Sequence, residues 1–141
     1  MYFLKEFLKS LIGLFFRINP FFRFSLKNKL TIFVFHEVSD NQSKFLSQNN
    51  IVHTVHNFKK HINWIEKNFN VISPEYLTQN KPLPNYPAVI SFDDGYQGTF
   101  DHGLKILEEK NVPAIVFINS RPLLKKKPSI AAIANFLEED E

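Results

Sequence analysis

The sequence predicts an α/β fold with parallel strands, and three observations carry that reading. Apolar runs rich in β-branched or aromatic residues occur at Thr31–Phe35, Ala88–Phe92 and Ala114–Ile118, each without a charged residue. Between them, at Asn57–Phe69 and Gln97–Lys110, apolar residues repeat every three or four positions, the spacing of one helix face. Strand, helix, strand, helix, strand in that order is how βα units with a parallel sheet read in sequence.

The elements follow in order. Seven of the 16 Phe lie in the first 24 residues, so this segment is unusually aromatic. At about 100° per residue, Lys5, Glu6, Lys9, Ser10, Gly13 and Arg17 share one sector and the aromatics and leucines fill the rest. That predicts an amphipathic N-terminal helix ending at Asn19-Pro20. Thr31–Phe35 then reads as a strand buried on both faces, ending at His36-Glu37. Residues 39–53 are mostly polar and read as a long loop. Phe58, Ile62, Ile65 and Phe69 form the apolar stripe of a helix, followed by a short strand at Val71-Ile72-Ser73 and a brief helix at Pro74–Thr78. Three prolines make Asn80–Pro87 a loop. Ala88–Phe92 is a second buried strand. Phe100, Leu104 and Leu107 mark the next helix, stopped before Pro113, and Ala114–Ile118 is the third strand. Beyond Asn119 the pattern thins to a charge run at Lys125–Lys127 and a short helix at Ile130–Leu137.

Composition narrows the functional classes. With 44% apolar and 22% charged residues in 141, the chain has the make-up of a packed domain rather than a disordered one. It has no Cys, which excludes a disulfide scaffold, a cysteine zinc site and a thiol nucleophile. The net charge of +3 is unevenly spread: residues 1–30 hold six Lys/Arg against one acid, and the rest hold 11 bases against 13 acids. The basic excess thus belongs to residues 1–29, a segment set apart from the domain expected over residues 30–141. A patterned basic face or a known module is missing, so nucleic acid is not an expected partner. For residues 1–24 two readings stay open. One is peripheral membrane contact, with Phe and Leu in the interface and Lys/Arg beside anionic headgroups; the other is packing on the domain or a partner. The longest apolar run there, Leu11–Phe16, is too short for a span, and no signal-peptide cleavage site follows. A cytoplasmic or peripheral membrane location is the expectation.

Chemistry concentrates in Ser91-Phe92-Asp93-Asp94-Gly95-Tyr96. Two adjacent carboxylates stand where a buried strand ends, the edge on which parallel βα folds build their sites. Two such acids resist joint ionisation unless a cation neutralises one. A divalent metal resolves the conflict: one Asp ligates it, and the other takes a proton from metal-bound water, whose pKa falls from about 15.7 to about 7. The competing reading is a plain turn, since Asp and Gly are favoured turn residues.

The surrounding order resembles the polysaccharide deacetylase family (NodB-homology domain), in its N-terminal part. The residues that carry this are Thr31–Val38, Asn57-Phe58 with Ile62–Ile65, Val71–Leu77, Pro87–Tyr96, Leu104–Leu107 and Val112–Ile118. The resemblance implies a distorted (β/α) barrel, here incomplete, that removes N-acetyl groups from a carbohydrate with a divalent metal, often zinc. It implies Asp93 as catalytic base and Asp94 as metal ligand, with His36 and Tyr96 facing the substrate at the same edge. The sequence departs from the family in two respects, the first being that the later family segments, which supply an Arg and a further His to the site, have no counterpart here. The family's His-x-x-x-His pair lies downstream of the strand matched here by Ala114–Ile118, whereas no His follows His102. His53, His56 and His61 lack that spacing, precede the acid pair, and read as surface or loop residues. The expectation is a truncated deacetylase that binds metal weakly, and its sheet, left open at the edges, favours self-association. A non-catalytic carbohydrate-binding remnant and a membrane-surface module are the alternatives.

Overall fold

The structure is a computed structural model that describes residues 24–41 and 51–125. The amphipathic helix expected over residues 1–24 and the short helix expected at Ile130–Leu137 lie outside the described residues, Phe24 apart.

Strand β5 (Pro87–Phe92) is the axis of the fold, and all six of its residues are buried. Strand β1 (Thr31–Phe35) runs parallel along one flank, with Thr31 opposite Ala88 and Phe35 opposite Phe92. The other flank is shared by two short parallel strands. Strand β4 (Asn70–Val71) pairs with Pro87 and Ala88, and strand β6 (Ala114–Val116) pairs with Ile90 through Phe92. Pro87 is tolerated because it is the first residue of its strand, where a missing N–H breaks little of the ladder. A second, two-stranded parallel sheet joins β2 (Glu37–Val38) to β3 (Val52–His53). The expected loop over residues 39–53 therefore contains a strand at its end: Glu37 N–H donates to the Ile51 carbonyl and Ser39 N–H to the His53 carbonyl. Parallel strands in an α/β arrangement are thus as expected, and the described residues form an open sheet.

One face of that sheet is covered by helix α1 (Val55–Asn68). Thr54 caps it, accepting from Asn57 N–H at 3.2 Å, and Asp40 Oδ1 accepts from Val55 N–H at 3.0 Å. The helix begins two residues before the expected start at Asn57, because the cap fixes its start. Phe58, Ile62 and Ile65 are fully buried, each contributing about 1.5–3 kcal/mol of apolar burial. They meet Phe35 and Phe92, whose rings lie 4.9 and 5.7 Å from the Phe58 ring.

Two differences from the sequence reading have physical causes. Strand β1 is not buried on both faces: Phe35 is buried and Phe33 packs against the core, while Ile32 and Val34 on the opposite face are about half exposed. Nothing among the described residues covers that face. After β5, the helix expected over Gln97–Lys110 is present, but it contains a π-helical turn (Thr99–Gly103) before it continues as helix α2 (Leu104–Glu109). The wider π turn shifts the face that follows it, so Phe100 points outward and Gly103, Ile106 and Leu107 point inward. A final helix, α3 (Ser120–Lys125), takes in the first of the three charged residues read as a run. No helix among the described residues is long and apolar enough to cross a membrane.

Candidate active site

The acid pair is placed by the end of β5. Side chains alternate along a strand, so Val89, Ser91 and Asp93 share the face opposite Phe92, which is turned into the core. Asp93 N–H donates to the Phe35 carbonyl at 2.9 Å, extending the β1–β5 ladder by one bond and fixing where Asp93 emerges. Asp94 and Gly95 then both take left-handed backbone, at φ 70° and 71°. Gly suits that conformation. Asp tolerates it at a cost, and such strain gathers at functional sites. Across the turn, the Asp94 carbonyl accepts from Asn119 N–H at 3.4 Å, and the Phe92 carbonyl accepts from Phe117 N–H at 2.7 Å.

Asp93 and Asp94 stand together in the wall of an open cleft of about 490 Å³. Its polar end also has Ser91 and Asn119, and its apolar wall includes Ile32, Val34 and Ile118. The half-exposed face of β1 is therefore the floor leading to the acids. A polar group bound at the acid end would have an apolar surface beside it.

Tyr96 and His36 lie beside this cleft and do not line it. Tyr96 is half-buried, and its hydroxyl is pushed above the ordinary phenol value by burial and then by the charges of Asp94 and Glu37. His36 follows β1 directly; its carbonyl accepts from Thr99 Oγ1 at 2.6 Å, a bond joining positions 63 residues apart. The His36 imidazole bears electrostatically on His53. The His53 ring stands 5.1 Å from that of His61 and 5.3 Å from that of Phe35. Burial, then His61 and His36, hold His53 below the usual imidazole value. His53 on β3 and His61 on α1 thus pair face to edge, while His36 lies between β1 and β2.

Sequence reasoning missed Glu37. It is buried, and its Oε1 accepts from Val38 N–H at 3.0 Å while Gly98 N–H bonds to the same carboxylate. Burial is the largest influence on it and raises its pKa above the ordinary carboxylate value. The sequence signal was a lone acid between a strand and Val38, with a Gly-Thr step just beyond the acid pair. Neither half of that pattern says that the two meet.

Among the described residues, no group of three or more His, Asp or Glu is arranged to hold a metal ion. A zinc site asks for about four donors, commonly with imidazole among them. Two acids with no third ligating side chain grouped with them among the described residues do not fit a complete zinc centre. The described residues offer one side of such a site.

The polysaccharide deacetylase family model matches residues 80–135, a segment that contains the acid pair. Solved structures agree with it. The chain is similar to a de-N-acetylase from Aggregatibacter actinomycetemcomitans at 26% identity and a TM-score of 0.53, over 62% of this chain and 36% of that one. It shares its fold with IcaB from Ammonifex degensii, at 19% identity and a TM-score of 0.53, over 63% and 37% of the two chains. The same holds for the Streptococcus pyogenes deacetylase PplD, solved in complex with acetate, at 15% identity and a TM-score of 0.56, over 68% and 45%. The chain thus spans less than half the length of these structures. No curated protein matches it. The polysaccharide deacetylase resemblance read from the sequence is borne out, for part of such a domain.

Proposed function

We propose that the chain carries the acid-bearing part of a carbohydrate de-N-acetylase, a hydrolase acting on an N-acetylated sugar. One observation carries the reading: two adjacent carboxylates at the C-terminal end of the central buried strand, in the wall of a cleft and inside the segment that matches the family. Hydrolysis of an acetamide needs a base to take a proton from the attacking water. Asp93, carried on the cleft face by the β1–β5 ladder, is the candidate for that role. Asp94, thrust out by the left-handed turn, is the candidate ligand for a divalent ion, with zinc as the expected metal. His36 and Tyr96, on the segments flanking the turn, are the candidate substrate contacts. A distorted (β/α) barrel belongs to the same proposal, supported by the parallel sheet with α1 packed on one face. So does self-association through the open sheet edges.

A second reading is a carbohydrate-binding remnant without catalysis, and the incomplete donor set among the described residues favours it. One set of measurements separates the two: bound metal, and acetate released from an N-acetylated oligosaccharide. If the first reading holds, Asp93→Ala keeps the metal and lowers the rate by about 10²–10⁴-fold, whereas Asp94→Ala loses metal and activity together. Unchanged behaviour in both variants defeats the catalytic assignment, and sugar binding without acetate release establishes the second reading.

A further inference from the structure

We propose that Glu37 is a positioning residue, whose buried carboxylate clamps the turn carrying Asp93 and Asp94 by holding the Gly98 N–H. The inference rests on the deacetylase reading for its catalytic consequence, but not for its geometry. Glu37 lies at the start of β2, two residues beyond Phe35, whose carbonyl fixes Asp93. Its Oε1 takes the Val38 N–H, and the carboxylate also takes the N–H of Gly98, three residues beyond Gly95. The acid-bearing turn is therefore held at both ends by the same stretch of chain, at its entry through Phe35 and at its exit through Glu37. Thr99 Oγ1, bonded to the His36 carbonyl at 2.6 Å, closes the junction.

The identity of residue 98 supports the clamp. Gly98 is buried with ordinary right-handed backbone, φ −68°, so no conformational demand selects glycine there. Space does: a Cβ on residue 98 would run into the Glu37 carboxylate and the Val38 carbonyl. Buried carboxylates are costly unless hydrogen-bonded, and the Val38 and Gly98 N–H groups offset part of that cost here. An ordinary surface Glu would do none of this. The consequence for chemistry is distance: releasing the exit of the turn lets Asp93 and Asp94 drift, and misplacement by about 1 Å can cost on the order of 10²-fold in rate.

The test uses the full 141-residue chain, with amide hydrogen exchange read by NMR alongside acetate release. In the parent, the Gly98 amide is expected to be protected like that of Asp93; an unprotected Gly98 overturns the proposal without any variant. Glu37→Ala should speed exchange at Gly98 and through Asp94-Gly95 by about tenfold or more while Asp93 stays protected. Glu37→Gln keeps an acceptor oxygen in place and should restore Gly98 protection to within about threefold of the parent. If Glu37→Ala does not fold, Glu37→Gln decides: loss of Gly98 protection there, with Asp93 still protected, overturns the clamp. Where the parent releases acetate, Glu37→Ala should lower kcat by about 10–10²-fold with KM little changed, and Glu37→Gln should recover most of it. A parent that releases no acetate defeats the deacetylase reading alone, and the exchange data still decide the role of Glu37.

Discussion

Asp94 holds a conformation that its side chain does not favour, at φ 70°, next to Gly95 at 71°. For most L-residues the left-handed region costs roughly 1–2 kcal/mol, and Gly is free of that cost. If the turn exists only to reverse the chain, Asn or Gly would serve here as well as Asp. If it exists to present a carboxylate to the cleft, the strain is the cost of that function. Replacement separates backbone from side chain. Asp94→Gly should fold at least as stably as the parent, and more stably than Asp94→Ala by about 1 kcal/mol in urea titrations, while both lose whatever Asp94 binds. Equal stability of the Gly and Ala variants would remove strain from the account. The acid pair was legible because it interrupts an apolar run at a strand end, a signal contained in six consecutive residues. Glu37 was not, because its carboxylate meets Gly98, and no short window contains both.

At the scale of elements, α1 shows where local signals suffice and where they fall short. Its stripe of Phe58, Ile62 and Ile65 predicts the helix and the face it buries. Its start depends on two side chains: Thr54 accepts from Asn57 N–H, while the Asp40 carboxylate takes Val55 N–H. Those bonds satisfy two of the four amides that every helix N-terminus leaves without a partner. Thr54→Ala should therefore destabilise the fold by about 1 kcal/mol, read as a lower urea midpoint at unchanged m-value. Since β3 ends one residue before the cap, the same substitution should loosen the Ser39 N–H bond to the His53 carbonyl, and unchanged exchange at Ser39 would show that the two are independent. The π turn at Thr99–Gly103 is the opposite case. Phe100, Leu104 and Leu107 fit an α-helical stripe, yet Phe100 is exposed because the turn carries one residue too many. At its start Gly98 and Thr99 meet Glu37 and His36, contacts that periodicity cannot register.

For the molecule as a whole, the parallel order was legible because β5 is a buried run without charge, with helical spacing on either side. The open face of β1 was not: Ile32 and Val34 are as apolar as Phe33 and Phe35, and hydropathy does not say which face a partner covers. The same tertiary junctions set how stability responds to pH. Glu37, facing His102, Asp101 and Tyr96, has its folded pKa raised by burial above its ordinary value of 4.5. Its neutral form is favoured in the fold, so this contribution is complete below pH 4.5 and is lost as pH rises through the raised value. His53, facing His61 and His36, is shifted the other way, below 6.5. Its contribution is complete above pH 6.5 and is lost as pH falls through the lowered value. The two slopes oppose each other, so each is exposed by removing the other. Relative to the parent, Glu37→Gln should gain in Tm steadily as pH rises from 4.5, because the neutral amide has no charge to bury. Relative to the parent, His53→Gln should gain in Tm as pH falls below 6.5. Thermal melts from pH 4.5 to 7.5 give both differences directly, and offsets that do not vary with pH would mean that neither junction is under electrostatic tension.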